Sequence, residues 1–121
     1  MRAIDAVERA DRLKPNAFDT KDKLAWLFRL DLQIYEELHA AYEGESSRPD
    51  AAQAEDPERV LLVEAPYDEL YDHYLAAQID YFDRETEGFN ASNAMFEASY
   101  GAYRNRYNRE HRARSAVKRY W

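Results

Sequence analysis

Apolar residues recur at spacings of three and four in four stretches of this chain, and that periodicity predicts an all-α protein. In residues 3–13, Ile4, Val7, Ala10 and Leu13 make one narrow stripe. Pro15 ends it, because the residue before a proline is pushed out of the helical region. Residues 21–43 carry the strongest pattern: Leu24, Leu27, Leu30, Ile34, Leu38 and Ala41, widened by Trp26 and Phe28. Asp19 or Thr20 offers an N-cap, Asp22 suits the first turn, and Gly44 is a natural C-cap. A third helix is expected over 67–88, opening at Pro66. Its wide, partly polar face holds Leu70, Tyr71, Tyr74, Leu75, Gln78, Ile79, Tyr81, Phe82 and Glu85. Gly88 interrupts the pattern. Asn90 or Ser92 then caps a fourth helix over 91–112, with Met95, Phe96, Tyr100, Tyr103 and Tyr107 on its apolar side.

Between the second and third helices lies GESSRPDAAQAEDPER, residues 44–59, a long polar loop with two prolines and no periodicity. Val60-Leu61-Leu62-Val63 follows and reads as an extended segment packed on the helices, since a lone strand has no partner. The expected architecture is four-helix bundle-like. Residues 1–111 form the helical domain, and 112–121 form a basic, aromatic C-terminal tail.

Charge sharpens this picture. The chain carries a formal net charge of −7 over 121 residues. Residues 104–121 hold Arg104, Arg106, Arg109, Arg112, Arg114, Lys118 and Arg119 against Glu110 alone, six positive charges net, which leaves thirteen negative on residues 1–103. An acidic body with a basic end suits docking onto an acidic partner or a neighbouring copy. The ten tyrosines suit either a thin helical core or protein interfaces. With no cysteine, disulfides and thiolate metal sites are excluded, and a reducing compartment is expected. Met1–Lys14 does not read as a leader peptide, and no apolar run approaches the ~20 residues of a membrane span.

Candidate chemistry is sparse. Glu36-Glu37-Leu38-His39 contains a Glu-x-x-His, the spacing used in di-metal carboxylate bundles. A working site needs a second copy. The nearest substitute, Glu69 and His73, stands four apart, so a metal-dependent bundle enzyme using Glu36, His39, Glu69 and His73 is the weaker expectation. Phosphate loops and nucleophile elbows are missing from the sequence, and no catalytic residue, metal or cofactor is assigned. The basic tail admits a second alternative, a small nucleic-acid-binding packaging regulator, although the acidic body would repel a polyanion. Gln78 and Glu85 interrupt an apolar face and need hydrogen-bond partners if buried. With Asn90 and Asn93 they are expected to form a structural polar network that fixes the register of the third and fourth helices.

The order of Ala6-Val7-x-Arg9-Ala10-Asp11, Lys23-Leu24-Ala25-Trp26-Leu27, Ala65-Pro66-Tyr67-Asp68-Glu69-Leu70-Tyr71, Tyr74-Leu75-x-Ala77-Gln78-Ile79-Asp80-Tyr81, Phe89-Asn90-x-Ser92 and Tyr107-Asn108-Arg109-x-His111 resembles the head–tail connector (adaptor) proteins of phages and prophages. The sequence departs from that pattern after His111. The resemblance implies a non-enzymatic virion protein, made in the host cytoplasm and housed at the head–tail interface. It implies a homo-oligomeric ring, commonly of twelve subunits, beneath the portal protein. That ring extends a channel through which DNA passes without specific binding, and it meets other neck or tail proteins, with no membrane partner. Tyr107, Asn108, Arg109, His111, Arg112, Arg114, Tyr120 and Trp121 are the expected partner-binding residues.

Overall fold

The computed structural model describes residues 1–42 and 47–111. It is all-α among these residues, with helices α1 (Ala3–Leu13), α2 (Thr20–Glu37), α3 (Glu69–Phe82) and α4 (Thr86–Glu110). Single 3-10 turns lie at His39–Ala41 and Ala51–Gln53.

α1 occupies the expected span, and Lys14 turns extended just before Pro15. Its buried side is set by Ala3, Ala6, Val7 and Ala10; Leu13, expected on the stripe, is 69% exposed. The small alanines let α1 lie close to its neighbours. Two ion pairs fix it on α3: Arg9 Nε to Asp72 Oδ1 at 2.7 Å and Lys14 Nζ to both oxygens of Asp80 at 2.5 Å. Both pairs advance in the same direction along the two chains, so α1 runs parallel to α3. The α1–α2 connection is held by the buried Lys23, whose ammonium donates to Asp11 Oδ1 (2.7 Å) and Asn16 Oδ1 (3.0 Å).

α2 buries Leu24, Trp26, Leu27, Phe28, Leu30 and Ile34, as its periodicity predicts. It ends earlier than expected, at Glu37. Leu38 leaves helical geometry (φ −129°, ψ −62°) and the chain tightens into the His39–Ala41 turn, so Ala41 is exposed. Gly44 lies outside the described residues. α2 runs antiparallel to α3, with Trp26 stacked on Phe82 (5.2 Å, 12°) at one end and Asp31 bonded to Tyr71 nearer the other.

The expected extended segment, residues 60–63, is non-helical and packed on the helices, with bends at Leu62 and Val63, and it follows a turn at 57–58. Leu61 and Val63 are buried. Backbone bonds tie it and that turn to the start of the chain: Ala3 N to Arg59 O (2.7 Å), Ile4 N to Pro57 O (2.9 Å) and Leu61 N to Met1 O (2.9 Å), around an antiparallel Arg2–Val60 bridge.

The boundary between α3 and α4 differs most from the sequence reading. Residues 65–68 form turns, with a cis Ala65–Pro66 bond, so Pro66 precedes the helix rather than opening it. α3 stops at Phe82, and Arg84 takes the left-handed φ of 61° that reverses the chain. α4 begins at Thr86, so Gly88, Asn90 and Ser92 lie inside it and neither break nor cap it. Gly88 is there for space: a Cβ would meet Asp80 Oδ2 at 2.6 Å. α4 lies antiparallel along α3, through Tyr81–Phe89, Tyr74–Phe96 and Tyr67–Tyr103 ring contacts. Its buried edge is Phe96, Tyr100, Tyr103 and Tyr107, while Met95 is exposed. No helix of the described residues is long and apolar enough to cross a membrane.

Candidate functional site

Two polar constructions stand out inside this framework. The first is buried and central. Asp31 replaces an apolar residue on the inner face of α2, between Leu27 and Ile34, and is fully buried. Its Oδ1 accepts the Tyr71 hydroxyl proton at 2.6 Å. Its Oδ2 accepts from Arg59 Nη1 (2.7 Å) and from the Leu62 amide (3.1 Å). The Tyr71 hydroxyl in turn accepts from the Val63 amide at 3.0 Å. Arg59 lies over the Phe28 ring, 5.4 Å from its centre. One carboxylate therefore clips the extended segment to both α2 and α3. Burial pushes the Asp31 carboxyl upward, against the opposing pull of Tyr71, Arg59 and the Leu62 amide. Burial and the adjacent carboxylate push the Tyr71 hydroxyl well above its usual range. The cluster is enclosed, so its chemistry is structural.

The second construction is open. Three walls meet near the end of α4: the His39–Ala41 turn, residues 62–67, and the last two turns of α4. They enclose a cleft of about 260 Å³ lined with aromatic rings. Tyr107 is sandwiched between His39 (4.3 Å, 7°) and His111 (3.7 Å, 8°). His39 Nε2 pairs with the Tyr103 hydroxyl at 2.6 Å. Its other nitrogen, Nδ1, is buried without a hydrogen-bond partner among the described residues. Burial, then the charge of His111, pulls the His39 imidazole down to about 4, so it is neutral at pH 7. Burial holds the Tyr103 hydroxyl above its usual range. Tyr100 is pushed up to about 12 by burial and by donating to Glu37 Oε2 (3.1 Å).

At the rim, Arg106 lies over Tyr67 (5.4 Å) and donates to Glu110 Oε1 at 2.6 Å. His111 ends α4, and its Nδ1 donates to the Tyr107 carbonyl at 3.0 Å. That placement puts the imidazole at the negative end of the helix dipole.

The expected partner-binding residues distribute unevenly. Tyr107 is buried with both ring faces occupied, so it builds the site rather than offering itself to a partner. Asn108 is exposed and its side-chain oxygen accepts from the Tyr42 hydroxyl. Arg109 is exposed and His111 half-buried. Arg112, Arg114, Tyr120 and Trp121 lie outside the described residues.

The expected polar network between the third and fourth helices is placed differently. Gln78 and Asn93 are half-buried, while Glu85 and Asn90 are exposed beside a shallow hollow at the α3–α4 turn. No side-chain hydrogen bond joins the four among the described residues. Their stretch of the interface is filled by Tyr81, Phe89, Tyr74 and Phe96 rings instead.

Of the residues weighed for a metal, His39 is committed to Tyr103 and Glu36 pairs with Arg48. No group of three or more potential ligands is arranged to hold a metal among the described residues. The periodicity missed Asp31, Arg59 and Tyr71 as partners. The legible signal was a charged residue at an inner-face position of α2, four after Leu27 and three before Ile34.

Compared with known proteins, the chain matches no family model, no curated protein and no solved structure.

Proposed function

We propose that this chain is a structural adaptor of the phage head–tail connector type, a four-helix bundle-like subunit that works by recognition rather than by making or breaking bonds. The observation that carries this reading is the end of α4. There the His39–Tyr107–His111 stack holds a cleft and a basic helix terminus in fixed geometry, and Arg104 and Arg109 are exposed beside it. The sequence continues from that terminus with four more cations and no acid over 112–121. A rigid aromatic base beside a cluster of arginines is the composition of a protein-recognition surface. The acidic remainder of the chain suits a ring around DNA, because like charge keeps the phosphates from adhering. In this reading the portal protein is the first partner, neck or tail proteins the next, and the particle's head–tail interface the place of work.

The test is docking onto portal assemblies. Deleting residues 112–121 should abolish co-sedimentation with portal while circular dichroism and the melting temperature stay unchanged. Docking that survives the deletion, together with absence of the chain from purified particles, would refute the proposal.

The exposed arginines also favour a second reading, a nucleic-acid-binding packaging regulator. It predicts duplex-DNA affinity falling steeply between about 50 and 200 mM salt. The adaptor predicts no measurable binding by the free protein.

A further inference from the structure

We infer that the cleft at the end of α4 is a receptor for one arginine side chain carried on a segment of a partner polypeptide. This rests on the adaptor reading and names the chemistry its partner presents.

Size comes first. The cleft of about 260 Å³ falls below the ~300–1,000 Å³ typical of small-molecule and cofactor pockets. It suits a single long side chain. Its walls suit a planar cation. The Tyr103 ring and the His111 imidazole line it, and aromatic faces attract guanidinium. The rim already holds one guanidinium in this way: Arg106 sits over Tyr67 and pairs with Glu110.

Charge comes next. Glu64 and Glu110 line the cleft together with Arg106 and the imidazoles of His39 and His111. Glu110 is taken by Arg106. Glu64 is exposed and has no ion-pair partner among the described residues. It is the carboxylate left for an incoming cation, and a bidentate guanidinium–carboxylate pair is the strong form of that contact.

His39 supports one wall of the cleft: it is 4% exposed, and its Nε2 pairs with the Tyr103 hydroxyl at 2.6 Å, so the Tyr103 ring is held in place for a guest to stack on.

The test uses the full chain and two probe peptides, acetyl-Ala-Arg-Ala-amide and the same peptide with uncharged citrulline in place of arginine. Side-chain NMR signals of His39, His111 and Tyr103 are followed during titration. The arginine peptide should shift all three saturably, with the citrulline peptide at least about tenfold weaker. Glu64→Gln should weaken the arginine peptide about fivefold while leaving the fold's spectrum intact. Equal responses to both peptides, no response, or indifference to Glu64→Gln would overturn the inference. So would a free chain whose His39 and Tyr103 signals already move on Arg112→Gln or Arg114→Gln and ignore added peptide, because the guest would then come from the same chain. Portal docking that survives Glu64→Gln but not deletion of 112–121 would sink this inference and leave the adaptor reading standing.

Discussion

The Tyr71 hydroxyl donates to Asp31 Oδ1 across 2.6 Å with both side chains fully buried, and the same hydroxyl accepts from the Val63 amide. A single phenol oxygen thus joins α2, α3 and the extended segment. Tyr71→Phe leaves a carboxylate oxygen and an amide without partners. It should cost about 1–3 kcal/mol of unfolding free energy. Asp31→Ala strands the Arg59 guanidinium and should cost more, roughly 3–5 kcal/mol. Urea titrations followed by circular dichroism will rank the two, and equal costs would contradict the network.

Two helical glycines in α4 should respond oppositely to the same change. A Cβ on Gly88 would meet Asp80 Oδ2 at 2.6 Å, and that carboxylate is pinned by Lys14. Gly88→Ala should therefore destabilise by about 1–3 kcal/mol. A Cβ on Gly101 meets nothing within 4 Å among the described residues. Gly101→Ala should raise stability by about 0.5–1 kcal/mol through lower unfolded-state entropy. Thermal melts of the pair test this, and a shared sign would rule the account out.

His39 gives the protein a pH dependence whose sign can be worked out. Its imidazole sits at about 4 in the folded chain and near 6.5 when unfolded. Between those values the unfolded chain binds the proton and the folded chain does not, so stability falls as pH drops from about 6.5 towards 4. The contribution is roughly 3 kcal/mol at most. Asp31, raised by burial, acts with the opposite sign: its contribution is lost as pH rises above the ordinary carboxylate range. Unfolding measured from pH 7 to pH 4 should slope downward in the parent and flatten in His39→Phe. An unchanged slope would show that the imidazole is not held neutral.

Arg106 is a contrasting case. Its partners Glu110 and Tyr67 are at the surface, where solvent screens such pairs. Arg106→Met should change stability by no more than about 0.5 kcal/mol. A larger loss in urea titration would mean that the rim supports the fold as well as shaping the cleft.

Helix existence was legible because Leu24, Leu27, Leu30 and Ile34, or Tyr100, Tyr103 and Tyr107, repeat at the helical period and are indeed buried. Helix ends were not, since tertiary partners set them. Gly88 looks like a breaker in sequence, yet it sits inside α4 to make room for the Lys14–Asp80 pair. The helical run past Glu37 gives way where His39 turns to meet Tyr103 and Tyr107. Gln78 and Glu85 drew attention as polar residues on an apolar face, but Gln78 sits half-buried at the edge of α3 and Glu85 falls in the exposed turn beyond its end. Asp31 was the informative exception. Its partners Arg59 and Tyr71 lie 28 and 40 positions away, and no local pattern encodes a pairing at that separation. The cleft is hidden for the same reason, because residues near 39, 64 and 107 meet only once the His39–Ala41 turn packs against α4.

The backbone ties between residues 1–4 and 57–61 have a practical consequence. They close the first half of the chain on itself at the root of the polar loop, whose residues 50–53 are exposed. A protease cut there severs no α-helix, only the short 3-10 turn, and removes none of these ties. The two pieces, one bearing α1 and α2 and the other α3 and α4, should elute together on gel filtration and separate only in denaturant. That makes the loop a place where foreign sequence can be inserted without dismantling the helices on either side.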